Sequence, residues 1–198
     1  MTHTSKLLAL VLRHDPGSVG LTLGPGGWVG VDALAQALAR HGHAVSRDDI
    51  LRTAADSDKK RFTVSDDGRL IRAAQGHSVA VDLGLAPADP PPVLFHGTAE
   101  RHVEAILAEG LRPMGRRHVH LSADPATAER VGRRHGPSTV LTVDAAAMRR
   151  AGLTFWRADN GVWLTDHVPP SHLRRADDPF DTFAEWAGVA DDRAYRDL

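Results

Sequence analysis

Arg61-Phe62-Thr63-Val64-Ser65-Asp66-Asp67-Gly68-Arg69-Leu70-Ile71-Arg72 sets two short β-prone runs on either side of an Asp-Asp-Gly turn. Alternating runs around a glycine-containing turn predict a β-hairpin. Upstream of it the signals are helical. Ser5 is expected to cap a helix carrying Leu7, Leu8, Val11 and Leu12 at helical spacing, which Arg13 and His14 close before Asp15-Pro16-Gly17 turns the chain. Trp28-Val29-Gly30-Val31 is a short extended piece. Asp32 then caps a second helix to about Arg40, with Gly42 closing it, and Ser46 with Asp49 starts a third near residues 47 to 56 in a near capping box. Three helices followed by a hairpin is the order of a winged helix, so residues 1–85 are read as a winged-helix-like lobe, a fold that often binds nucleic acid. The fold alone does not license that binding. Asp58-Lys59-Lys60-Arg61, just before the hairpin, holds two of the three lysines in the chain and reads equally as a phosphate contact or as plain surface.

Downstream, Ala86-Pro87-Ala88-Asp89-Pro90-Pro91-Pro92 reads as a stiff extended linker over residues 86–92. The second unit, residues 93–176, opens with a strand from Val93 to Phe95. A helix is expected from Ala99 to Glu109, a strand from His118 to Ser122, and a helix opened by Asp124 and running to about Arg134. Thr139 to Val143 alternates as a strand, Ala145 to Arg150 is a short helix, and Phe155-Trp156 with Val162-Trp163-Leu164-Thr165 completes a small sheet. The whole is α+β, with the site expected in the cleft between the two lobes. The tail, residues 177–198, is acidic but carries Phe180, Phe183 and Trp186, and is expected to be a docked helix or a lid.

The 198 residues, 42% of them hydrophobic, can bury a core. No apolar stretch nears the roughly 18 residues of a membrane span, and the N-terminus lacks the order of a signal peptide, so a cytoplasmic protein is expected, with a monomer the simplest state. Without cysteine there is no disulfide, thiol nucleophile or thiolate metal site. A net charge of -1 argues against nonspecific coating of nucleic acid but allows a local cationic pocket.

Two stretches concentrate the chemistry. Val93-Leu94-Phe95-His96-Gly97-Thr98 ends an apolar run in histidine and glycine, and Arg116-Arg117-His118-Val119-His120-Leu121-Ser122 packs two cations and two imidazoles into five residues. His118 and His120 share a strand face, and with His96 they have the makings of a zinc site. The adjacent arginines and the absence of a nearby carboxylate argue against a metal. In the other register Val119 and Leu121 are buried and the histidines face a cleft as hydrogen-bonding groups. There is no P-loop, no dinucleotide fingerprint and no nucleophile elbow.

His-Gly-Thr after one strand and His-Leu-Ser on the next make the second half resemble the ADP-ribosyltransferase fold. The chain resembles most closely the RNA 2′-phosphotransferases, the tRNA-splicing enzymes of the KptA type. The matching segments are Ser5-Lys6, Leu12-Arg13-His14, Gly27-Trp28-Val29, Ser57 to Phe62, Gln75-Gly76-His77-Ser78, Phe95 to Thr98, His118 to Ser122 and Asn160 to Leu164, in one order over roughly residues 5 to 175. The resemblance implies two steps. An internal RNA 2′-phosphate attacks C1″ of NAD and expels nicotinamide, giving 2′-phospho-ADP-ribosylated RNA. O2″ then attacks the phosphate, releasing RNA 2′-OH and ADP-ribose 1″,2″-cyclic phosphate. It further implies that Arg13, His14, Arg61 and Arg116 are catalytic, and that His96, Gly97, Thr98, His120, Leu121 and Ser122 contact NAD. Which of Arg116 and Arg117 points inward stays open. Where other ADP-ribosyltransferases often carry a glutamate, this chain has about Val162, consistent with an acceptor that is already an anion. Two alternatives stand beside this reading: an ADP-ribosyltransferase acting on phosphorylated nucleic-acid ends or another acceptor, and a noncatalytic winged-helix RNA-binding protein.

Overall fold

The computed structural model describes residues 2–57, 59–133 and 136–176. The aromatic residues of the acidic tail, and with them the expected docked helix or lid, lie outside the described residues. The fold is mixed α and β, with six α-helices and three small antiparallel sheets among the described residues.

The chain begins with α1 (His3–Arg13), β1 (Val29–Gly30), α2 (Val31–Arg40) and α3 (Arg47–Ala55), followed by the expected hairpin of β2 (Phe62–Val64) and β3 (Leu70–Ala73). Thr2, rather than Ser5, caps α1, its side chain accepting from Ser5 N at 3.2 Å. The helix therefore starts a turn earlier and Ser5 is buried within it. Gly30 stands at the N-cap of α2, and Asp32 lies in the first turn, where a carboxylate still suits the helix dipole and pairs with Arg47 at 3.0 Å. The capping box of Ser46 and Asp49 forms in full. Strand order is β1-β3-β2, with Thr63 opposite Arg72 and Val64 opposite Ile71. Leu8, Val11 and Leu12 of α1 pack with Leu34, Leu38, Ile50 and Ile71 in one apolar cluster.

A second cluster, with Leu94, Leu121, Leu141, Val143, Met148, Phe155 and Trp163 at its centre, holds the rest. Its elements are β4 (Val93–Ala99), α4 (Val103–Glu109), β5 (Val119–Leu121), α5 (Pro125–Gly132), β6 (Ser138–Asp144), α6 (Ala145–Arg150), β7 (Phe155–Arg157), β8 (Trp163–Thr165) and β9 (Leu173–Arg175). β4 does not stop at Phe95. All seven of its residues pair with β6, from Val93 opposite Asp144 to Ala99 opposite Ser138. The expected helix from Ala99 shortens accordingly to a 3₁₀ turn, Glu100–His102, and then α4. Sheets β4-β6-β9 and β5-β8-β7 meet where Phe95 and Ser122 exchange backbone hydrogen bonds of 2.8 Å in both directions.

The proline-rich stretch read as a linker runs against the second cluster. Ala88 N donates to Phe155 O, and Ala146 N donates to Pro92 O. At Gly97, α5 comes so close that a Cβ built there would lie 1.8 Å from Ala128 O, and one on Gly132 would lie 3.1 Å from Thr98 N. Two glycines thus let a helix rest directly on strand backbone.

Candidate active site

β5 and β4 carry the centre of the site side by side. In β5, Val119 and Leu121 turn into the core while His120 and the preceding His118 face a cavity, the cleft-facing register of the two that the sequence allowed. Beside His120, in β4, His96 Nδ1 donates to His120 O at 3.1 Å. A carbonyl only accepts, so the proton of His96 sits on Nδ1 and its Nε2 remains an acceptor. His120 Nε2 is buried and has no hydrogen-bond partner. Burial, followed by Arg116, His118 and Arg13, pulls the His120 pKa down to about 3. Burial also lowers that of His96, helped by Arg116 and opposed by its bond to the His120 carbonyl. Both rings are neutral near pH 7 and suit hydroxyl groups better than a metal crowded by guanidiniums.

The cavity has about 580 Å³, within the range of about 300–1,000 Å³ usual for small-ligand sites. His96, Thr98 and His120 form one wall, His14 and Arg116 another, and Ile106, Leu111, Pro113 and Met114 an apolar side. Thr98 is buried in β4.

Arg13 and His14 arrive from the end of α1. The segment after β3 holds them: Ser78 N donates to Arg13 O at 2.9 Å, and Ser78 Oγ is hydrogen-bonded to His14 Nδ1 at 3.0 Å. The Arg13 guanidinium lies along Gly76, where a Cβ would stand 3.6 Å from Nη1, and its Nη2 donates to Arg61 O at 3.2 Å. Its Nε is buried and unpartnered. Burial first, then the charges of Arg61 and Arg116, depresses the Arg13 pKa to about 10. His14 is lowered as well, by burial, Arg13 and Arg116. No carboxylate among the described residues pairs with Arg13, Arg61 or Arg116. Uncompensated, mutually repelling guanidiniums are an anion site waiting for its counter-charge.

The remaining sequence-selected residues are placed differently. Gly97 and Leu121 do not line the cavity: Gly97 admits α5, and Leu121 is a core residue. Ser122 lies outside the cavity wall too, with both backbone polar groups engaged by Phe95. Arg61 lines a separate polar recess of about 480 Å³ with Ser5, Arg52, Ser57 and Lys59, where its Nη1 donates to Ser57 Oγ. Arg116 faces the large cavity. Arg117 instead donates its backbone N–H to His77 O at 3.3 Å and lines a small recess with His77 and His120.

His77 received no role from the sequence, although it lies inside a matching segment. It is 3% exposed, its Nε2 is unpartnered, and burial followed by Arg13, His14, Arg72 and Arg117 lowers its pKa to about 4. Only an isolated histidine in a polar tetrapeptide was visible beforehand. Because its folded pKa is below its unfolded value, the unfolded chain binds more protons between those values. Stability is complete above the unfolded pKa and is lost as pH falls toward the folded one. At pH 5 this one group is expected to cost about 2 kcal/mol relative to pH 7.5. Thermal melts of wild type and His77→Gln check this: the variant should lose less Tm between pH 7 and 5, and parallel losses would exclude His77 as the source.

Comparison with known proteins gives a consistent pattern. Residues 1–167 match the sequence model of a family described as RNA 2′-phosphotransferase, Tpt1/KptA. The chain is 59% identical over 173 residues to a probable RNA 2′-phosphotransferase of Agrobacterium fabrum, covering 87% of this chain and 92% of the relative. Proteins of the same description from Streptomyces coelicolor (56% over 170 residues, 86% and 92%) and Acaryochloris marina (52% over 169 residues, 85% and 93%) are similar throughout.

Proposed function

The chain belongs to the RNA 2′-phosphotransferase, Tpt1/KptA family, and from that premise we propose that it removes a 2′-phosphate from RNA by transferring it to ADP-ribose, with NAD as co-substrate. The observation that carries this reading is the trio Arg13, Arg61 and Arg116, close enough for the latter two to depress Arg13 and without carboxylate partners among the described residues. A phosphate monoester, with a charge of about −1.5 to −2 at neutral pH, is the ligand such a trio suits. In this reading residues 1–85 form the winged-helix-like RNA lobe and residues 93–176 the ADP-ribosyltransferase-like lobe.

The cavity residues fit a dinucleotide by their chemistry. His96 Nε2 offers an acceptor to a ribose hydroxyl, His120 Nε2 lacks a partner, and Thr98 adds a hydroxyl on the same wall. NAD supplies an anomeric carbon, C1″, with nicotinamide as the departing group. Arg13 and Arg116 hold the RNA phosphate so that one of its oxygens forms the bond to C1″ as the bond to nicotinamide breaks. The nucleophile is already an anion, so no base is needed. In the second step O2″ bonds to phosphorus and the bond from phosphorus to RNA O2′ breaks. The arginines then face the charge that grows on the phosphoryl oxygens. His14, kept neutral near pH 7 by burial and by Arg13 and Arg116, accepts the O2″ proton and returns it to RNA O2′.

The test is to incubate the protein with NAD and a short RNA bearing one internal 2′-phosphate. Nicotinamide, ADP-ribose 1″,2″-cyclic phosphate and RNA with a free 2′-OH are expected. Untouched RNA in the presence of folded protein would overturn the proposal. NAD consumption without the cyclic phosphate would point to ADP-ribosyl transfer onto another acceptor. RNA binding that survives loss of His96, with NAD never consumed, would point to a noncatalytic RNA-binding protein.

A further inference from the structure

A carboxylate far from both catalytic stretches ties the two halves of the site together. Asp159 sits in the turn between β7 and β8, which closes with Ala158 N donating to Val162 O at 2.9 Å. Its Oδ2 accepts three hydrogen bonds from the other core unit. Thr63 Oγ1 donates at 2.7 Å, Arg72 Nη2 at 2.7 Å and Arg72 Nε at 3.2 Å. Thr63 and Arg72 are direct cross-strand partners in β2 and β3, so one two-residue face of that sheet grips one carboxylate oxygen.

The grip is braced on both sides. Arg72 Nη1 donates to Leu83 O at 3.2 Å and Gly26 O at 3.4 Å, its Cζ stands 4.7 Å from the centre of the Trp28 ring, and its side chain is only 13% exposed. Three anchors fix this guanidinium before Asp159 is counted, so little side-chain entropy is lost when the carboxylate docks. From Arg72 the chain runs directly through Gly76 and His77 to Ser78, the residue that bonds Arg13 O and His14. From Asp159 it runs into β8, whose Leu164 is paired with His120 of β5. The clamp therefore joins the segment that aims Arg13 and His14 to the sheet that aims His120.

We propose that Asp159, gripped by Thr63 and Arg72, is a positioning residue that sets the spacing of Arg13 and His14 from Arg116 and His120, and so the alignment of the RNA phosphate with the acceptor. The inference rests on the function proposed above. It makes a distinction that a merely structural contact would not. Apart from His14, the cavity is walled by residues 96–120, so loss of the clamp leaves NAD binding in place and slows the transfer, which needs both halves.

The experiment compares wild type with Asp159→Ala, Asp159→Asn, Arg72→Lys and the Arg72→Lys/Asp159→Ala double variant. Single-turnover release of the RNA 2′-phosphate is measured at saturating substrates, and NAD affinity by titration of tryptophan fluorescence. Asp159→Ala and Arg72→Lys are expected to slow transfer about 10- to 100-fold, the scale of an ångström-sized misplacement. Asp159→Asn, which keeps an acceptor at the same place, should recover part of the rate. The double variant should be no slower than its slower parent, because both changes remove one interaction. The NAD dissociation constant should stay within about twofold of wild type. Unchanged transfer, additive losses, or NAD affinity falling in step with the rate would each overturn the clamp while leaving the function standing. A wild-type protein that leaves the RNA phosphate untouched would remove the function and the clamp with it.

Discussion

Arg116→Ala is expected to lower RNA 2′-phosphate transfer about 10²- to 10³-fold, the usual loss when a preorganised group that faces developing charge is removed. The side chain lines the large cavity, makes no ion pair among the described residues, and lies close enough to Arg13, His14, His96 and His120 to depress all four. Its side chain makes no hydrogen bond among the described residues, so Tm should not fall with activity. Arg116→Lys should be intermediate, since an ammonium keeps the charge but lacks the guanidinium fork. Arg117→Ala should have a small effect by comparison, because that residue lines the recess beside His77 instead. Radiolabelled phosphate followed from RNA to the cyclic product, alongside a thermal melt, checks all three. Normal turnover in Arg116→Ala would take the residue out of the site.

Gly97→Ala is expected to have the largest effect on stability. The new Cβ would stand 1.8 Å from Ala128 O and 2.5 Å from Ala128 C, both backbone atoms, so no side-chain rotation relieves the clash. α5 must lift from β4, or β4 must shift from β6 and carry His96 and Thr98 with it. Overpacking of this kind costs at least about 1–3 kcal/mol, and backbone on both sides places this case at the upper end or beyond. Chemical denaturation gives the value directly. A melt and midpoint equal to wild type would show that the close approach is not required. Gly42→Ala is a suitable contrast: its φ of +80° costs strain, but a Cβ there meets nothing within 4 Å.

Much of the local structure was legible because its signals are local. Alternation around Asp66-Asp67-Gly68 is enough to specify the hairpin, Ser46 and Asp49 cap each other, and the alternation from His118 to Leu121 puts the histidines on one face and Val119 with Leu121 on the other. What stayed hidden depends on partners distant in sequence. A three-residue strand such as β9 carries too little pattern to detect. Arg116 and Arg117 are chemically identical until the His77 carbonyl engages the second of them. Gly97 looks like a glycine needed by a ligand, yet what fills its missing side chain is the backbone of α5. For Arg61, too, neither type nor motif shows that it opens on a recess separate from the main cavity.

The way α1 ends has a consequence for how the protein comes to be made. Its final carbonyl, Arg13 O, is satisfied by Ser78, and the ring of His14 is fixed by the same residue 64 positions later. During synthesis the first helix leaves the ribosome with its C-terminal end open, and it stays so until the hairpin and the residues after it have emerged. Arg13 and the cavity-lining His14 are then ordered late, by a long-range closure, although they are among the first residues translated. A nascent chain stopped just past the hairpin but before Ser78 would hold a helix of the right sequence whose Arg13 and His14 side chains have not yet been aimed.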